Sequence, residues 1–192
     1  RRQRQMCIRD RSDVNKFRPS YSFGDRSRSF LKIQDGCDYQ CSYCTIPLAR
    51  GKSRSPSLDN VTDSIKSLLD KGVKEVVLTG VNIGDFGIFD PKKPRQNNFL
   101  DLLNQISKIK DLKRLRISSI EPNLLNNDII DLVSESKKIL PHFHIPLQSG
   151  SDKILKLMKR RYLRNVYEKR FEYIRKRIPN ACIGSDVIIG FP

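Results

Sequence analysis

Short apolar stretches alternate with segments of helical pattern along most of this chain, and that alternation restricts the fold more than any other feature. Each apolar stretch has the length and the β-branched content of a buried strand. Strands that alternate with helices form parallel βα units, so we expect an α/β fold in which about five units make a partial (β/α) barrel. The predicted strands are Ser29–Gln34, Lys74–Thr79, Leu112–Ser118, His142–Leu147 and Ala181–Ile189.

The segments between the strands carry apolar residues at helical spacing. Ser57 is a favourable N-cap residue, and Val61, Ile65 and Leu68 follow it on one helical face. After the second strand, Asp85–Asn97 contains glycine and proline and is expected to be a long loop. The first predicted helix begins after Ser57 and ends at Lys71. The other predicted helices are Phe99–Ile109, Asn127–Leu140, Ser151–Met158 and Leu163–Ile178.

A polar or glycine-bearing motif follows every predicted strand. In barrels of parallel strands the functional residues gather at the carboxyl ends of the strands, so these motifs should line one mouth. The motifs are the cysteine-bearing loop Gly36–Cys44, then Thr79–Asn82, Ser118–Glu121, Leu147–Gly150 and Gly190.

The loop after the first strand holds three cysteines, Cys37, Cys41 and Cys44, at the spacing C-x₃-C-x₂-C. One short loop can direct all three sulfurs at a common metal centre. Iron–sulfur clusters are normally held by four thiolates, so a loop that supplies three would leave one iron open for a substrate or cosubstrate. The spacing therefore favours an iron–sulfur centre with one open coordination position.

Two other interpretations of the cysteines have to be weighed. Structural zinc takes four ligands, and His142, His144 or Cys182 could supply the fourth. Alternatively, the three could be unrelated buried thiols, because free cysteine packs as a small apolar residue. The second interpretation is disfavoured, since three of the five cysteines fall within one short loop.

Composition and charge exclude several classes of protein. A hydrophobic content of 38% and a charged content of 30% are typical of globular domains and not of disordered chains. No run approaches the roughly 18 apolar residues of a membrane helix, and the N-terminus lacks a signal-peptide core, so we expect no membrane and a cytoplasmic location. The net charge of +16 favours a polyanionic partner such as nucleic acid.

Several stretches of the sequence resemble one known family. FLKIQDGC, TIPLARGKSRS, LTGVNIG, RISSIEP, HFHIPLQSGS, LKLMKRRY and DVIIGFP are similar to the radical S-adenosylmethionine (SAM) methylthiotransferases, from about Phe23 to Pro192. IQDGCDYQCSYCTIPLARGKSRS is similar to the branch that acts on N6-threonylcarbamoyladenosine beside the anticodon of tRNA. The alternatives are the branches that modify isopentenyladenosine in tRNA or a ribosomal protein, or a zinc-stabilised RNA-binding module without catalysis.

The resemblance implies an enzyme that adds a methylthio group to C2 of the modified adenine. Cys37, Cys41 and Cys44 would hold a [4Fe-4S] cluster whose open iron binds SAM. A second, auxiliary [4Fe-4S] cluster is expected in an N-terminal domain whose cysteines this sequence lacks, so we expect this chain to be inactive alone. The expected partners are the tRNA anticodon loop and a flavodoxin- or ferredoxin-like electron donor.

The resemblance and the strand pattern also assign candidate contacts around the mouth. Two of these candidates have an alternative role in the backbone. Gly80 suits a tight turn as well as a SAM contact, and Glu121 before Pro122 suits the start of a helix. His144 is expected to be a hydrogen-bonded core histidine. The candidate SAM contacts are Thr79, Gly80, Val81, Asn82, Ser119, Glu121, Gln148 and Gly190.

Basic residues near the mouth are candidates for contact with an RNA phosphate or the SAM carboxylate. A solvated helix face is the ordinary interpretation of the basic run around residues 153–164. The candidates are Arg50, Lys52, Arg54, Arg160 and Arg161.

The two ends of the chain are expected to differ from its middle. Residues 1–28 are expected to be a tail and linker, with the first twelve or so foreign to the domain and Cys7 without a role. Residues 29–192 are expected to be a radical SAM domain that is cut short at its C-terminus.

Overall fold

The computed structural model describes residues 17–24, 28–88 and 94–191, in which strands and helices alternate as the sequence predicts. The predicted foreign segment, Cys7 and Pro192 lie outside the described residues. The strands are β1 (Ser29–Lys32), β2 (Glu75–Thr79), β3 (Arg114–Ile117), β4 (His142–His144) and β5 (Cys182–Gly184). The helices are α1 (Ile46–Arg50), α2 (Leu58–Asp70), α3 (Phe99–Ser107), α4 (Asn127–Glu135), α5 (Asp152–Leu157) and α6 (Arg164–Arg177), with a 3₁₀ helix at Ile83–Asp85.

All strand pairs of the two sheets are parallel. β1, β2 and β3 form one sheet in chain order, and β4 pairs with β5 in a second. Parallel bridges from Leu115 to Ile139 and from Ser119 to His144 connect the end of the first sheet to the second. The strands therefore follow one another along an arc, which confirms the predicted α/β fold and partial (β/α) barrel.

The core lies between the first sheet and the helices that cover it. Val76 and Leu78 of β2 are fully buried, and so are Ile65 and Leu68 of α2. The side chain of Ser57 accepts a hydrogen bond from the amide of Asn60 at 3.3 Å and so caps α2 as predicted. The apolar spacing seen in the sequence is thus the face that α2 turns toward the sheet.

Several elements are shorter than the sequence predicts. The predicted helix Asn127–Leu140 ends at Glu135, because Ser136 adopts an extended backbone and its hydroxyl accepts hydrogen bonds from the amides of Lys138 and Ile139. The predicted strand Ala181–Ile189 is paired as a strand only over Cys182–Gly184. Helix α1 was not predicted, because its five residues are too few to show a helical period.

Part of the predicted linker packs against the sheet. Tyr21 pairs with Leu31 in an antiparallel bridge, and the amide of Ser22 donates to the carbonyl of Phe30 at 3.0 Å. Residues 20–22 therefore pair with the outer edge of β1, and the boundary at residue 28 stays a prediction.

Among the described residues, no helix has both the length and the apolar character needed to cross a membrane.

Truncating a side chain in the central strand should lower stability strongly. We expect Leu78→Ala to reduce the free energy of unfolding by about 2–5 kcal/mol, because it leaves a cavity beside fully buried neighbours. The matched control is Leu48→Ala, because that side chain is 85% exposed. This substitution should change the free energy of unfolding by less than about 0.5 kcal/mol. Urea unfolding of the three proteins measures the difference, and equal effects of the two substitutions would contradict this placement of the core.

Candidate active site

The cysteine loop leaves the carboxyl end of β1 and is closed at its base by backbone hydrogen bonds. Asp35 and Arg54 exchange amide-to-carbonyl bonds of 3.0 and 2.9 Å, and the amide of Cys37 donates to the carbonyl of Gly51 at 3.1 Å. Gly36 has φ +71°, and a Cβ there would lie 2.0 Å from the carbonyl oxygen of Lys52. Only glycine allows the two ends of the loop to approach this closely.

Asp35 holds the base of the loop electrostatically. Its carboxylate forms ion pairs with Arg54 at 3.0 Å, Arg50 at 3.2 Å and Lys32 at 3.4 Å, and it accepts a hydrogen bond from the amide of Gly36. Burial opposes ionisation, but these three cations outweigh it and hold the pKa of Asp35 below its ordinary value. Strand β1, helix α1 and residues 51–54, which form the return of the loop toward β1, are thereby joined at the carboxylate of Asp35.

The three predicted cluster ligands lie together in this loop. Cys41 is buried, whereas Cys37 and Cys44 are half-buried. Burial raises the pKa of the Cys37 thiol to about 11, and the nearby charges of Asp85, Cys41 and Cys44 add to the shift. Three thiols in one loop suit a bound cation, which stabilises their thiolate forms.

The donor set of the cysteine loop consists of three thiols. Among residues 17–24, 28–88 and 94–191, no group of three His, Cys, Asp or Glu side chains is placed to hold a metal ion as it stands. Iron–sulfur clusters are held by cysteine thiolates, each of which binds a different iron. The three cysteines therefore fit a [4Fe-4S] cluster by the type of donor that they supply.

The alternative zinc ligands lie on β4 and β5, outside the cysteine loop. The ring of His144 contacts the hydroxyl of Ser119 through Nδ1 and the carboxylate of Asp186 through Nε2, at 2.5 and 3.3 Å. His142 and Cys182 lie opposite each other in the register of β4 and β5. His144 is thus the hydrogen-bonded histidine that the sequence predicts.

Arg160 connects the cysteine loop to the loop after β3. Its Nη1 lies 3.1 Å from both the sulfur of Cys41 and the hydroxyl of Tyr43, and its Nη2 pairs with the carboxylate of Glu121. Burial works against the charge of Arg160, but the adjacent carboxylate outweighs it and raises the pKa of the guanidinium. The arginine is therefore a permanent cation beside a predicted cluster ligand.

The loop after β2 lies next to the cysteine loop. Thr79 accepts a hydrogen bond from the amide of Ile33, and the amides of Val81 and Asn82 donate to the side chain of Gln34. The side-chain oxygen of Asn82 is buried without a hydrogen-bond partner among the described residues. These predicted SAM contacts therefore adjoin the predicted cluster site and offer one free buried acceptor.

The remaining predicted SAM contacts lie on the later strands. Gln148 has φ +64° and exchanges backbone hydrogen bonds with the segment at residues 186–188. Gly190 has φ +75°, and a Cβ there would meet nothing within 4 Å. Ser119 contacts His144, and Glu121 contacts Arg160. Gln148 and Gly190 are not brought into contact with the cysteine loop by any of these bonds, and their role stays a prediction.

The basic candidates differ in their exposure. Arg54 has a side chain only 6% exposed and paired with Asp35, and Arg160 is buried to a similar degree and paired with Glu121. Their contact with an RNA phosphate or the SAM carboxylate stays a prediction. Lys52 and Arg161 are exposed, and Arg50 is half-exposed although paired with Asp35.

Two open cavities flank the cysteine loop. One of about 620 Å³ is lined by Cys37, Tyr39, Lys52 and Arg95 among others. The other, of about 460 Å³, is lined in part by residues 79–81 of the loop after β2. Cys37 is therefore accessible from the first cavity, and the second lies against the base of the loop at Asp35.

Sequence reasoning missed three polar residues of the site. Gln34 and Asp35 interrupt the apolar pattern directly before Gly36, a signal that could have identified them. Asp85 fell at the start of the predicted loop, but its buried carboxylate accepts from the side-chain amide of Asn82 at 2.9 Å and faces Arg95 at 3.4 Å. Burial raises the pKa of Asp85.

Comparison with known protein families identifies the fold. The family model of the radical SAM superfamily matches residues 31–192, which includes the three cysteines and every strand from the second half of β1 onward. The chain is a member of the radical SAM superfamily. The predicted membership of the radical SAM enzymes is confirmed, because the family model covers most of the chain.

Relatives of this radical SAM chain include tRNA-modifying enzymes. It is 41% identical over 172 residues to the threonylcarbamoyladenosine tRNA methylthiotransferase MtaB of Bacillus subtilis, covering 89% of this chain and 37% of that protein. It is 39% identical over 168 residues to the tRNA-2-methylthio-N(6)-dimethylallyladenosine synthase of Thermodesulfovibrio yellowstonii. That match covers 88% of this chain and 38% of that protein. The chain thus spans less than half the length of these relatives.

Solved structures of distant radical SAM enzymes have the same fold. The radical SAM methyltransferase TsrM of Kitasatospora setae, solved with cobalamin and a [4Fe-4S] cluster, matches with a TM-score of 0.61 at 17% identity, over 82% of this chain and 30% of that one. The cobalamin-dependent radical SAM enzyme OxsB, solved with SAM, matches with a TM-score of 0.65 at 13% identity. The match covers 83% of this chain and 23% of that one. At these identities the match establishes the fold alone.

Removing the negative charge of Asp35 at the base of the cysteine loop should lower the stability of the protein. We expect Asp35→Asn to lower the free energy of unfolding by about 3 kcal/mol or more, because Arg54 would stay buried without its counter-charge. The control is Asp63→Asn, whose pair with Lys66 is exposed and should contribute less than about 0.5 kcal/mol. Guanidinium chloride unfolding measures both, and a loss for Asp35→Asn no larger than for the control would contradict the role given to this carboxylate.

Proposed function

We propose that the intact protein is a radical SAM methylthiotransferase that modifies C2 of N6-threonylcarbamoyladenosine beside the anticodon of tRNA. The observation that carries this proposal is the closed loop with Cys37, Cys41 and Cys44 at the carboxyl end of β1, beside the loop after β2. The identity of 41% to a threonylcarbamoyladenosine tRNA methylthiotransferase supports the substrate. The rest of the machinery, including the auxiliary cluster, is assigned to parts of the relatives that this chain does not match.

The three cysteines would hold the [4Fe-4S] cluster. When bound there and reduced, the cluster would supply one electron for the reductive cleavage of SAM. We assign that electron to a flavodoxin- or ferredoxin-like donor, and we assign the reaction to the cytoplasm.

The chain's own residues would bind SAM and keep the site ordered. The free buried oxygen of Asn82 is an acceptor that suits the ammonium group of SAM. Arg160 offers a permanent positive charge near Cys41 that suits the SAM carboxylate. Tyr43, held by Arg160, covers the same side of the cysteine loop and would help to exclude water from the radical.

Exposed cations at the rim would contact the RNA backbone. Lys52 lines the cavity beside Cys37, and Arg161 stacks on the ring of Tyr39 at 3.9 Å. Arg50 adds a half-exposed guanidinium on the same loop. With a net charge of +16, these side chains favour phosphate contacts around a base that is turned out of its stack.

Loss of one cluster ligand should abolish SAM cleavage. We expect Cys41→Ala to lose the iron of this cluster and the formation of 5′-deoxyadenosine, because two thiolates cannot hold the cluster in this loop, while the iron of the auxiliary cluster is retained. Cys182→Ala is the matched control, since that thiol is exposed on β5, and it should keep both properties. Anaerobic reconstitution followed by iron analysis and chromatography measures them. Cleavage retained by Cys41→Ala, or zinc bound in place of iron, would refute the proposal.

Lys52 should contribute to the salt dependence of tRNA binding. We expect Lys52→Gln to weaken tRNA binding and to reduce the slope of log K against log salt by about 0.7–1, as for one lost phosphate contact. Lys66→Gln removes an exposed charge on α2 that pairs with Asp63 and should leave the slope unchanged. Fluorescence anisotropy over a range of salt concentrations gives both slopes. Identical slopes for the two variants would remove Lys52 from the RNA surface.

A further inference from the structure

Gln34 lies at the carboxyl end of β1, is fully buried and has five polar atoms within hydrogen-bond distance of its side-chain amide. The two N–H groups of its side chain face three acceptors, the carbonyl of Gly36 at 2.7 Å, the hydroxyl of Ser53 at 2.9 Å and the carbonyl of Asp35 at 3.1 Å, so one N–H is shared between two of them. Its side-chain oxygen accepts from the amides of Asn82 at 2.7 Å and Val81 at 3.0 Å. Every donor and acceptor of the amide is used.

The two ends of this side chain bind two different functional loops. The nitrogen holds both ends of the cysteine loop, since Gly36 precedes Cys37 and Ser53 lies on the return of the loop. The oxygen holds the first turn of the loop after β2, at Val81 and Asn82. One amide group therefore sets the distance between the two loops.

The backbones of the two loops also approach closely at this point. A Cβ on Gly80 would lie 2.8 Å from the carbonyl oxygen of Gln34 and 3.1 Å from its Cβ. The amide of Ile33 donates to the carbonyl of Thr79 at 2.9 Å. The absence of a side chain at Gly80 brings the loops into the range that the Gln34 amide can span.

The chemistry of the contact requires glutamine. Glutamate would lack the two N–H donors that face the carbonyls, methionine would lack every polar group, and asparagine is one methylene shorter. A residue that only filled space in the core would not need donors and acceptors directed at two separate loops.

We propose that Gln34 is a positioning residue that fixes the cysteine loop relative to the loop after β2. This inference rests on the proposed function, in which the first loop holds the cluster and the second holds SAM. Gln34 would thereby keep the bound SAM in register with the open iron, where a small displacement slows reaction steeply.

The test compares Gln34→Met with Gln105→Met in the intact protein. Gln105 joins α3 to Thr62 of α2 with a bond of 3.0 Å and does not contact either loop. Hydrogen–deuterium exchange of the metal-free proteins is measured first. In Gln34→Met the amides of Val81 and Asn82 should exchange at least about tenfold faster, while those of Val77 and Leu78 in β2 keep their protection.

The second measurement is the rate of 5′-deoxyadenosine formation per bound iron after reconstitution. We expect Gln34→Met to bind iron as the wild type does and to lose at least about tenfold in this rate, whereas Gln105→Met keeps it. A purely structural role would lower iron content and stability but leave the rate per bound iron unchanged, and that result overturns the inference. Unchanged exchange at Val81 and Asn82 overturns it as well.

A second variant decides the matter if Gln34→Met does not fold. Gly80→Ala would displace Gln34 from the other side, and faster exchange of the Cys37 amide across the contact is expected. Wild-type exchange at Cys37 in that variant overturns the inference. If the exchange results are as expected but the wild-type protein forms no 5′-deoxyadenosine, the coupling of the loops stands and the proposed function fails.

Discussion

The buried ion pair between Asp35 and Arg54 closes the loop on which the rest of the site depends. A carboxylate and a guanidinium that are both removed from water are stable only when each has its partner. Here the pair also coincides with a backbone bridge between the same two residues, and Gly36 supplies the conformation that lets the chain return. Charge, backbone pairing and glycine thus constrain the same few residues, so three cysteines on an irregular segment keep a defined place beside β1.

The order of strands and helices could be predicted from the sequence, and the ends of the elements could not. Periodicity along α2 reports which face is buried, and Ser57 marks its start, so both follow from local chemistry. The end of α4 depends on which backbone groups the hydroxyl of Ser136 binds, a choice that tertiary structure makes. Helix α1 is held between the cysteine loop and its return, and its five residues carry no periodic signal.

The candidate site shows the same division between local and long-range information. The spacing of Cys37, Cys41 and Cys44 is local, and the structure brings them together in one loop. Arg54 and Arg160 look like free cations in the sequence because their carboxylate partners lie 19 and 39 residues earlier. Gln34 reads as the end of a strand for the same reason, since Val81 and Asn82 lie more than 45 residues away along the chain.

The distribution of charge separates the interior of the mouth from its rim. Inside, Glu121 is matched by Arg160 and Asp85 by Arg95, so these buried carboxylates have cationic neighbours. Lys52 and Arg161, in contrast, carry their charges on exposed side chains. Exposed cations attract a polyanion at long range, whereas a locally balanced interior does not bind phosphate in preference to a neutral base. This arrangement is compatible with the proposed tRNA substrate, whose backbone would stay at the rim while a single base enters.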